Sequence, residues 1–488
     1  MEINPSQKKF LNLAKKNNLI VFSYKFYSDW LTPLSIYHGL RKKISRESFL
    51  LESVEGVEKI CRFSFLGFQP ICSFISKGKK ITIKQKKTKT FITKKDPLFE
   101  LKKLMASYRV APKKNLRFFG GFVGYMGYDA VRFYEPIGDK LPDSLGTNDL
   151  HFILPKFLIV FDHLTREIEV LSFATLESKK TLNKVYLQEK KEIASIVKKI
   201  TKPHRLPDLN FKPKKLKAKS NYAKKDFLEA VRKVKKHIRQ GDTIQTVISQ
   251  RFSVKFASDP FTVYRYLRIL NPSPYMFFLN YKDACLVGAS PEMLLRCEGN
   301  ELITRPIAGT RRRGKSDSQD ERLRKSLLAD PKEKAEHIML VDLSRNDLGR
   351  VSKKASVGVP IFMKVEKFSH VMHIVSEVRG QLNKGENIFS SLISCFPAGT
   401  VSGAPKVRAM QIINELEPDQ RGIYAGSVGY FSFTNALDTC IIIRTIVFKG
   451  GYAYVQAGAG IVADSKPESE YIETVNKARA QIMALELA

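Results

Sequence analysis

Strand-like apolar runs and capped helix starts alternate along this chain with no fixed spacing, and that irregularity constrains the fold more than any other feature. Residues 243–254 (TIQTVISQRFSV), 440–448 (CIIIRTIVF) and 452–457 read as strands. Residues 222–241 read as an amphipathic helix, because Phe227, Ala230, Val231 and Val234 fall at helical spacing. Asp330-Pro331-Lys332-Glu333 has the form of a helix start: an Asp cap, Pro at the first position and Glu three after the cap. That helix can run to about Asp347, with Gly349 as the stop. Ser465 with Glu468 reads as a second capping box, opening a helix to the C-terminus. A doubly wound parallel sheet needs a regular strand-helix-strand period, so the expected class is α+β.

The chain has 488 residues, with 83 Lys+Arg against 48 Asp+Glu and a formal charge of +35. At 43% hydrophobic it can bury a substantial core, which excludes a wholly disordered protein. No apolar run reaches the ~18 residues of a membrane span. The N-terminal stretch has no signal-like apolar core, and six scattered cysteines without CxxC fit a reducing cytoplasm. Lysine is spread rather than striped, so a solvated basic surface is favoured over nucleic-acid binding; the field would still attract a small anion. Residues 202–219 (KPHRLPDLNFKPKKLKAK) carry prolines and charge without periodicity. They divide the chain into an N-terminal region (1–200), a basic connection (201–220) and a C-terminal domain (221–488). The glycine-dense GGFVGYMGY from Gly120 reads as tight strand packing rather than a phosphate loop.

Several side chains could carry chemistry. Glu333 and Glu336 share one face of their predicted helix, and Leu340 and Leu343 continue the stripe from Glu336. Glu470, Glu473 and Lys477 share one side of the C-terminal helix. Carboxylates from two helices suit Mg²⁺, which takes one or two of them and keeps positions for water and substrate. The plainer reading is a helix-start charge and an intrahelical Glu473–Lys477 pair, and spacing alone does not choose. Gln456-Ala457-Gly458-Ala459-Gly460 follows a strand; a tight turn is the default, a carboxylate cradle the alternative. Arg444, in the middle of CIIIRTIVF, wants a bidentate anion, whether a structural acid or a substrate carboxylate. His370 and His373 are spaced for a metal pair, yet one acid–base and one structural histidine is as plausible.

Taken together, the residues from Gly288 onward resemble the chorismate-utilising enzymes, and most closely the large subunit, component I, of anthranilate synthases. The matching pieces are GASPEML from Gly288, RPIAGTRRRG from Arg305 and KEKAEHIMLVDLSRNDLGRV from Lys332. KFSHVMHIVSEVRG from Lys367, AGTVSGAPKVRAMQII from Ala398 and YAGSVGYF from Tyr424 follow. LDTCIIIRT from Leu437 and QAGAGIVADSKPESEYIETVNKARA from Gln456 complete the series. LTPLSIYHGL from Leu31, SFLLESVEG from Ser48, RFSFLG from Arg62 and GGFVGYMGYDAVRFYE from Gly120 extend it over nearly the whole chain.

The resemblance implies the chorismate-binding, aminodeoxychorismate synthase-like fold, with large antiparallel sheets packed as a sandwich core and helices outside. It implies a lyase that aminates chorismate at C2, expels the C4 hydroxyl and eliminates pyruvate to give anthranilate, the first committed step toward tryptophan. By this resemblance Glu336 and Glu473 hold Mg²⁺, supported by Glu333 and Glu470. Glu292 is the acid for the departing hydroxyl, and His373 removes the C2 proton. Thr310, Thr400, Tyr424, Arg444, Gly458, Gly460 and Lys477 match substrate contacts. Leu51, Glu52, Ser53, Asn271, Pro272, Ser273, Pro274, Tyr275 and Met276 match a tryptophan-inhibition site. A separate glutamine amidotransferase subunit is implied, in a heterotetramer of two large and two small chains. Relatives that install water at C2 place a lysine where this chain has Gln245. Aminodeoxychorismate synthases, the alternative reading, commonly place a nucleophilic lysine where it has Ala308. A nucleic-acid-binding protein is the distant alternative.

Overall fold

The computed structural model describes residues 2–41, 47–53, 62–111, 113, 116–176, 181–368 and 371–488. The named strands join in one antiparallel network. Alternate residues of a strand point to opposite faces, and here each face has its own core. Phe49 packs in one apolar cluster and Leu50 in the other; Phe277 and Phe278 divide the same way. One cluster lies between layers of strands and includes Phe118, Phe122, Leu295 and Phe431. The other lies under helices, including Pro260–Leu270 and Pro467–Leu487. Helices thus cover a strand-built centre, as α+β requires.

Strands from the two halves of the chain pair directly. Ser48–Glu52 pairs with Tyr275–Asn280, placing Glu52 opposite Met276. Gly121–Met126 pairs with Ser427–Ser432. A Cβ on Gly121 would fall 2.0 Å from the Phe431 carbonyl oxygen, so the close approach expected of this glycine run is present. Residues 203–218 form no helix or strand, as their proline and charge imply.

Local signals place most C-terminal elements. The amphipathic helix spans Lys224–Arg239 and the following strand Gln245–Lys255. The Pro331–Gly349 helix is capped by Asp330, whose carboxylate accepts from the N–H groups of Lys332 and Glu333.

Three expectations are corrected. Residues 440–448 are two strands, Leu437–Ile441 and Thr445–Lys449, because the chain breaks at Arg444, which has a φ of 52°. Its carbonyl accepts from Ala289 N–H and its guanidinium donates to the Lys477 carbonyl, contacts that no continued strand would allow together. Gly458 and Gly460 lie within the Tyr452–Ile461 strand rather than in a turn after it. They are small because neighbours crowd them: a Cβ on Gly460 would sit 2.2 Å from Gln245 Nε2, and one on Gly458 3.0 Å from the Tyr424 hydroxyl. Ser465 does not cap the last helix. Pro467 opens it with Lys466 at the cap, and the Ser465 oxygen accepts from Val462 N–H.

Candidate active site

Two helix starts and the centre of the sheet bring the candidate side chains together. Glu336, on the Pro331–Gly349 helix, accepts a 3.3 Å hydrogen bond from Gln245 Nε2, on a strand 91 residues away in sequence. Burial raises the Glu336 pKa, and the charge of Glu333 adds to the rise. Glu333 is itself held by Arg311 at 3.2 Å. On the Pro467–Leu487 helix, burial raises the pKa of Glu470, a Ser465 hydrogen bond opposes the rise and Glu473 adds to it. Lys332 and Lys477 both act on Glu336 and on Glu470, so the two helix starts share one electrostatic neighbourhood.

The carboxylates do not converge on one point. Among the described residues no group of three His, Cys, Asp or Glu side chains could hold a metal ion. Glu473 forms the plainer expected pair, 2.6 Å from Lys477 Nζ. Lys477 also donates to the Gly458 carbonyl at 3.1 Å. The donor set nevertheless suits a hard octahedral cation, which needs only one or two carboxylates. Glu336 is half-buried beside a like charge with one long hydrogen bond, and a partly desolvated carboxylate in that state is stabilised by a cation.

Glu292 follows the Cys285–Ser290 strand and is 7% exposed. Burial pushes its pKa up to about 8, held back by Thr400, the Ile307 N–H and the Lys477 charge. Thr400 belongs to the Gly399–Val401 turn, and its hydroxyl makes no hydrogen bond of ordinary geometry among the described residues. Burial thus favours the protonated form of Glu292.

His373 lies on the Val371–Gln381 strand. Its Nδ1 is 2.9 Å from the Gly309 carbonyl and 3.0 Å from the Thr310 hydroxyl. A carbonyl only accepts, so Nδ1 carries the proton and Nε2 keeps its lone pair. Burial lowers the pKa, the Gly309 bond opposes this, and the Arg444 charge lowers it further. A neutral base results. Gly309 sits at a bulge between its strand and that of His373, with a φ of 67°; a Cβ there would meet Glu333 at 3.0 Å. His370 lies outside the described residues, so the histidine pair stays undescribed.

Arg444 has no ion pair among the described residues; its one side-chain hydrogen bond is to the Lys477 carbonyl, at 2.6 Å. Burial lowers its pKa, while Tyr424 and Glu473 raise it. A half-buried guanidinium without a carboxylate partner is suited to take an anion. Tyr424 lies beside Gly458, and burial pushes its hydroxyl up to about 12. Ala425, with a φ of 62°, shares the left-handed conformation of Arg444. Such residues cost about 1–3 kcal/mol each and persist where surroundings enforce them.

Sequence reasoning missed the support for this arrangement. Arg421 is 2% exposed and bonds Glu417 through Nε and Nη2, the Val401 carbonyl at 2.6 Å and the Val247 carbonyl at 2.8 Å. Its guanidinium stacks over Tyr128 and Tyr424, 4.8 Å and 5.6 Å from the ring centroids. One buried cation therefore ties the Thr400 turn, the Gln245 strand and Tyr424 together. Glu417 and Arg421 stand four apart, but nothing local marks them as buried.

A sequence model of chorismate binding enzymes matches residues 46–483. The chain belongs to that family. Anthranilate synthase component 1 of Aquifex aeolicus is 46% identical, over 100% of this chain and 99% of its own. The protein of that name from Acetivibrio thermocellus is 44% identical, over 98% and 97%. A crystal structure of anthranilate synthase component I from Streptococcus pneumoniae matches at TM-score 0.76 and 40% identity, covering 88% of this chain and 93% of that one. A menaquinone-specific isochorismate synthase from Escherichia coli, at TM-score 0.74 and 21% identity over 98% and 100%, shares the fold.

Within this family member a second cavity lies apart from Glu292 and His373. Leu51, Glu52, Ser53, Pro274, Tyr275 and Met276 line it with Phe63, Phe65, Arg117 and Arg296. The Ser48–Glu52 and Tyr275–Asn280 pairing brings these two distant sequence pieces side by side. Glu52 accepts from the Tyr264 hydroxyl at 2.6 Å, and Tyr275 donates to Asp438 at 2.9 Å. Asn271, Pro272 and Ser273 follow the Pro260–Leu270 helix and lead into this strand; they are not among the residues that line the cavity.

Proposed function

We propose that this chain is the large subunit of an anthranilate synthase, converting chorismate and ammonia to anthranilate and pyruvate. The observation that carries the reading is a buried acid whose pKa burial raises, Glu292, together with a half-buried base whose pKa burial lowers, His373, the base lying in the field of Arg444, which has no ion pair among the described residues. Such a pair can give one proton and take another without both being charged at rest. Chorismate has a ring carboxylate, an enolpyruvyl carboxylate and a C4 hydroxyl. Arg444 and Tyr424 grip the enolpyruvyl carboxylate. Glu292 gives its proton to the C4 hydroxyl as ammonia adds at C2, so the oxygen leaves as water. His373 Nε2 then takes the C2 proton as pyruvate departs and the ring becomes aromatic. Ala308 offers no nucleophile that could form a covalent bond to the ring, and Gln245 is no base for water.

Mg²⁺ would be held by Glu336 and Glu473, once Glu473 turns from Lys477, with Glu333 and Glu470 in support. When bound it supplies Lewis-acid polarisation of the ring carboxylate and a template for the substrate. The cavity beside Ser53 is the proposed tryptophan site, its Phe63 and Phe65 suited to an indole and Arg117 and Arg296 to a carboxylate. Ammonia comes from a separate glutamine amidotransferase, in an assembly of two large and two small chains. The setting is cytoplasmic; no helix among the described residues is long and apolar enough to cross a membrane.

Purified chain with chorismate, Mg²⁺ and high ammonium should yield fluorescent 2-aminobenzoate and pyruvate without any partner. Formation of the 4-amino isomer after lyase addition, or no consumption of chorismate, would reject the reading. Tryptophan should inhibit this reaction, and Ser53→Phe should relieve the inhibition at unchanged kcat. Equal inhibition of both proteins would move the regulatory site elsewhere.

A further inference from the structure

A small cavity lies against Glu292 and Thr400, and its lining includes none of the other proposed substrate contacts. It is bounded by Glu292, Thr304, Ser344, Asp347 and Thr400, and by none of His373, Tyr424, Arg444 or Lys477. Its floor continues the Glu336 face of the Pro331–Gly349 helix, through Leu340 and Leu343 to Ser344 and Asp347. The free volume is about 30 Å³, room for about two waters at 10–15 Å³ each. A cavity holds water only if polar groups satisfy it, and these walls offer them. Thr304 is 5% exposed, and its hydroxyl has no hydrogen-bond partner among the described residues; the Thr400 hydroxyl acts on Glu292.

At the far end Asp347 and Lys406 form a two-oxygen ion pair, 2.8 Å to each oxygen. Their side chains are 14% and 13% exposed, so the pair itself reaches solvent. Glu292 itself is enclosed, and the proposed reaction consumes its proton in every cycle.

We propose that the cavity holds a short water chain that returns a proton to Glu292 after each turnover, entering from solvent at the Asp347–Lys406 pair. The inference rests on the acid role given to Glu292 above. The balance is simple. The Glu292 O–H bond breaks as the C4–O bond breaks, and water leaves the ring. The resulting carboxylate takes a proton from the nearest cavity water, that water takes one from its neighbour, and a solvent acid replaces the last. Thr304, Ser344 and Asp347 act through this chain and touch no substrate; they are positioning residues.

The test uses the full chain with Mg²⁺, chorismate and ammonium, comparing wild type with Thr304→Val, Ser344→Ala and Asp347→Asn. Thr304→Val keeps the side-chain shape and removes only the hydroxyl, so it serves should Asp347→Asn fold poorly. The first turnover draws on the proton already resident and should keep its rate. Later turnovers should slow roughly ten-fold, within the range attributed to positioned proton transfer. The solvent deuterium isotope effect on kcat should rise, and small weak acids such as imidazolium should restore the steady rate. Unchanged steady rates and isotope effects in all three variants would overturn the proposal. So would a first turnover slowed as much as the rest with no rescue by weak acids, which marks a merely structural role. A wild-type chain that leaves chorismate untouched would instead defeat the functional reading.

Discussion

Glu417 and Glu292 are both buried carboxyl groups, 4% and 7% exposed, and their surroundings differ in kind. Glu417 meets Arg421 through both oxygens and accepts from the Ser249 N–H and hydroxyl. Arg421 in turn finds two backbone carbonyls and two aromatic faces. Every charge there is answered within the chain, so the pair fixes position. Around Glu292 and Arg444 the charges are not matched in this way. Burial favours the protonated acid against the pull of Thr400, the Ile307 N–H and Lys477, and Arg444 has no ion pair among the described residues. Buried groups in that state cost stability unless something binds them. The contrast separates the scaffold from the proposed site: one cluster is complete within the chain, and the other has charges that the proposed ligand would answer.

The comparison can be broken by substituting each side. Glu292→Gln keeps the shape and removes the proton donor; kcat should fall about 10²- to 10⁴-fold while the urea unfolding midpoint holds or rises. A fall below ten-fold would take Glu292 out of the chemistry. Arg421→Met should act the other way round, leaving Glu417 charged and alone at a cost of about 3–5 kcal/mol, read from denaturant unfolding. A loss under about 1 kcal/mol would mean the pair is no scaffold.

The smallest effect is the sharpest in shape. kcat/KM should rise as His373 loses its proton, at a pH below the ordinary histidine value of 6.5, because burial lowers its pKa. It should fall as Glu292 ionises, near pH 8. Stability carries the same sign. The unfolded chain releases the Glu292 proton near 4.5 and the folded chain near 8, so this group's contribution is full below 4.5 and is lost as pH rises toward 8. A profile whose basic limb does not move in Glu292→Gln would contradict the assignment.

These features were unequally legible in the amino-acid order. The start of the Pro331–Gly349 helix was readable because its cap is local: Asp330 bonds N–H groups two and three residues on. The α+β class was readable for the same reason, from strand and helix signals a few residues long. The break at Arg444 was not, because its left-handed backbone is set by Ala289 and by the carbonyl of Lys477, both distant in sequence. Gly458 and Gly460 resembled turn residues, yet it is the side chains across from them that demand the missing Cβ. Ser465 had the spacing of a cap, but Pro467 sets the helix start instead. The candidate site itself was legible chiefly through family resemblance, since each of its local signals alone is weak. The cavity beside Glu292 and the Arg421 cluster left no local trace.

The proposal that Glu336 and Glu473 hold a cation is tested most directly by following anthranilate formation against Mg²⁺ concentration. The series compares wild type with Glu336→Gln and Glu473→Gln, after chelation with EDTA. Wild type should be inactive once stripped and saturate on Mg²⁺ addition, and each variant should need at least about ten-fold more Mg²⁺ or lose turnover. Variants that saturate at the wild-type concentration with wild-type rates would contradict the account.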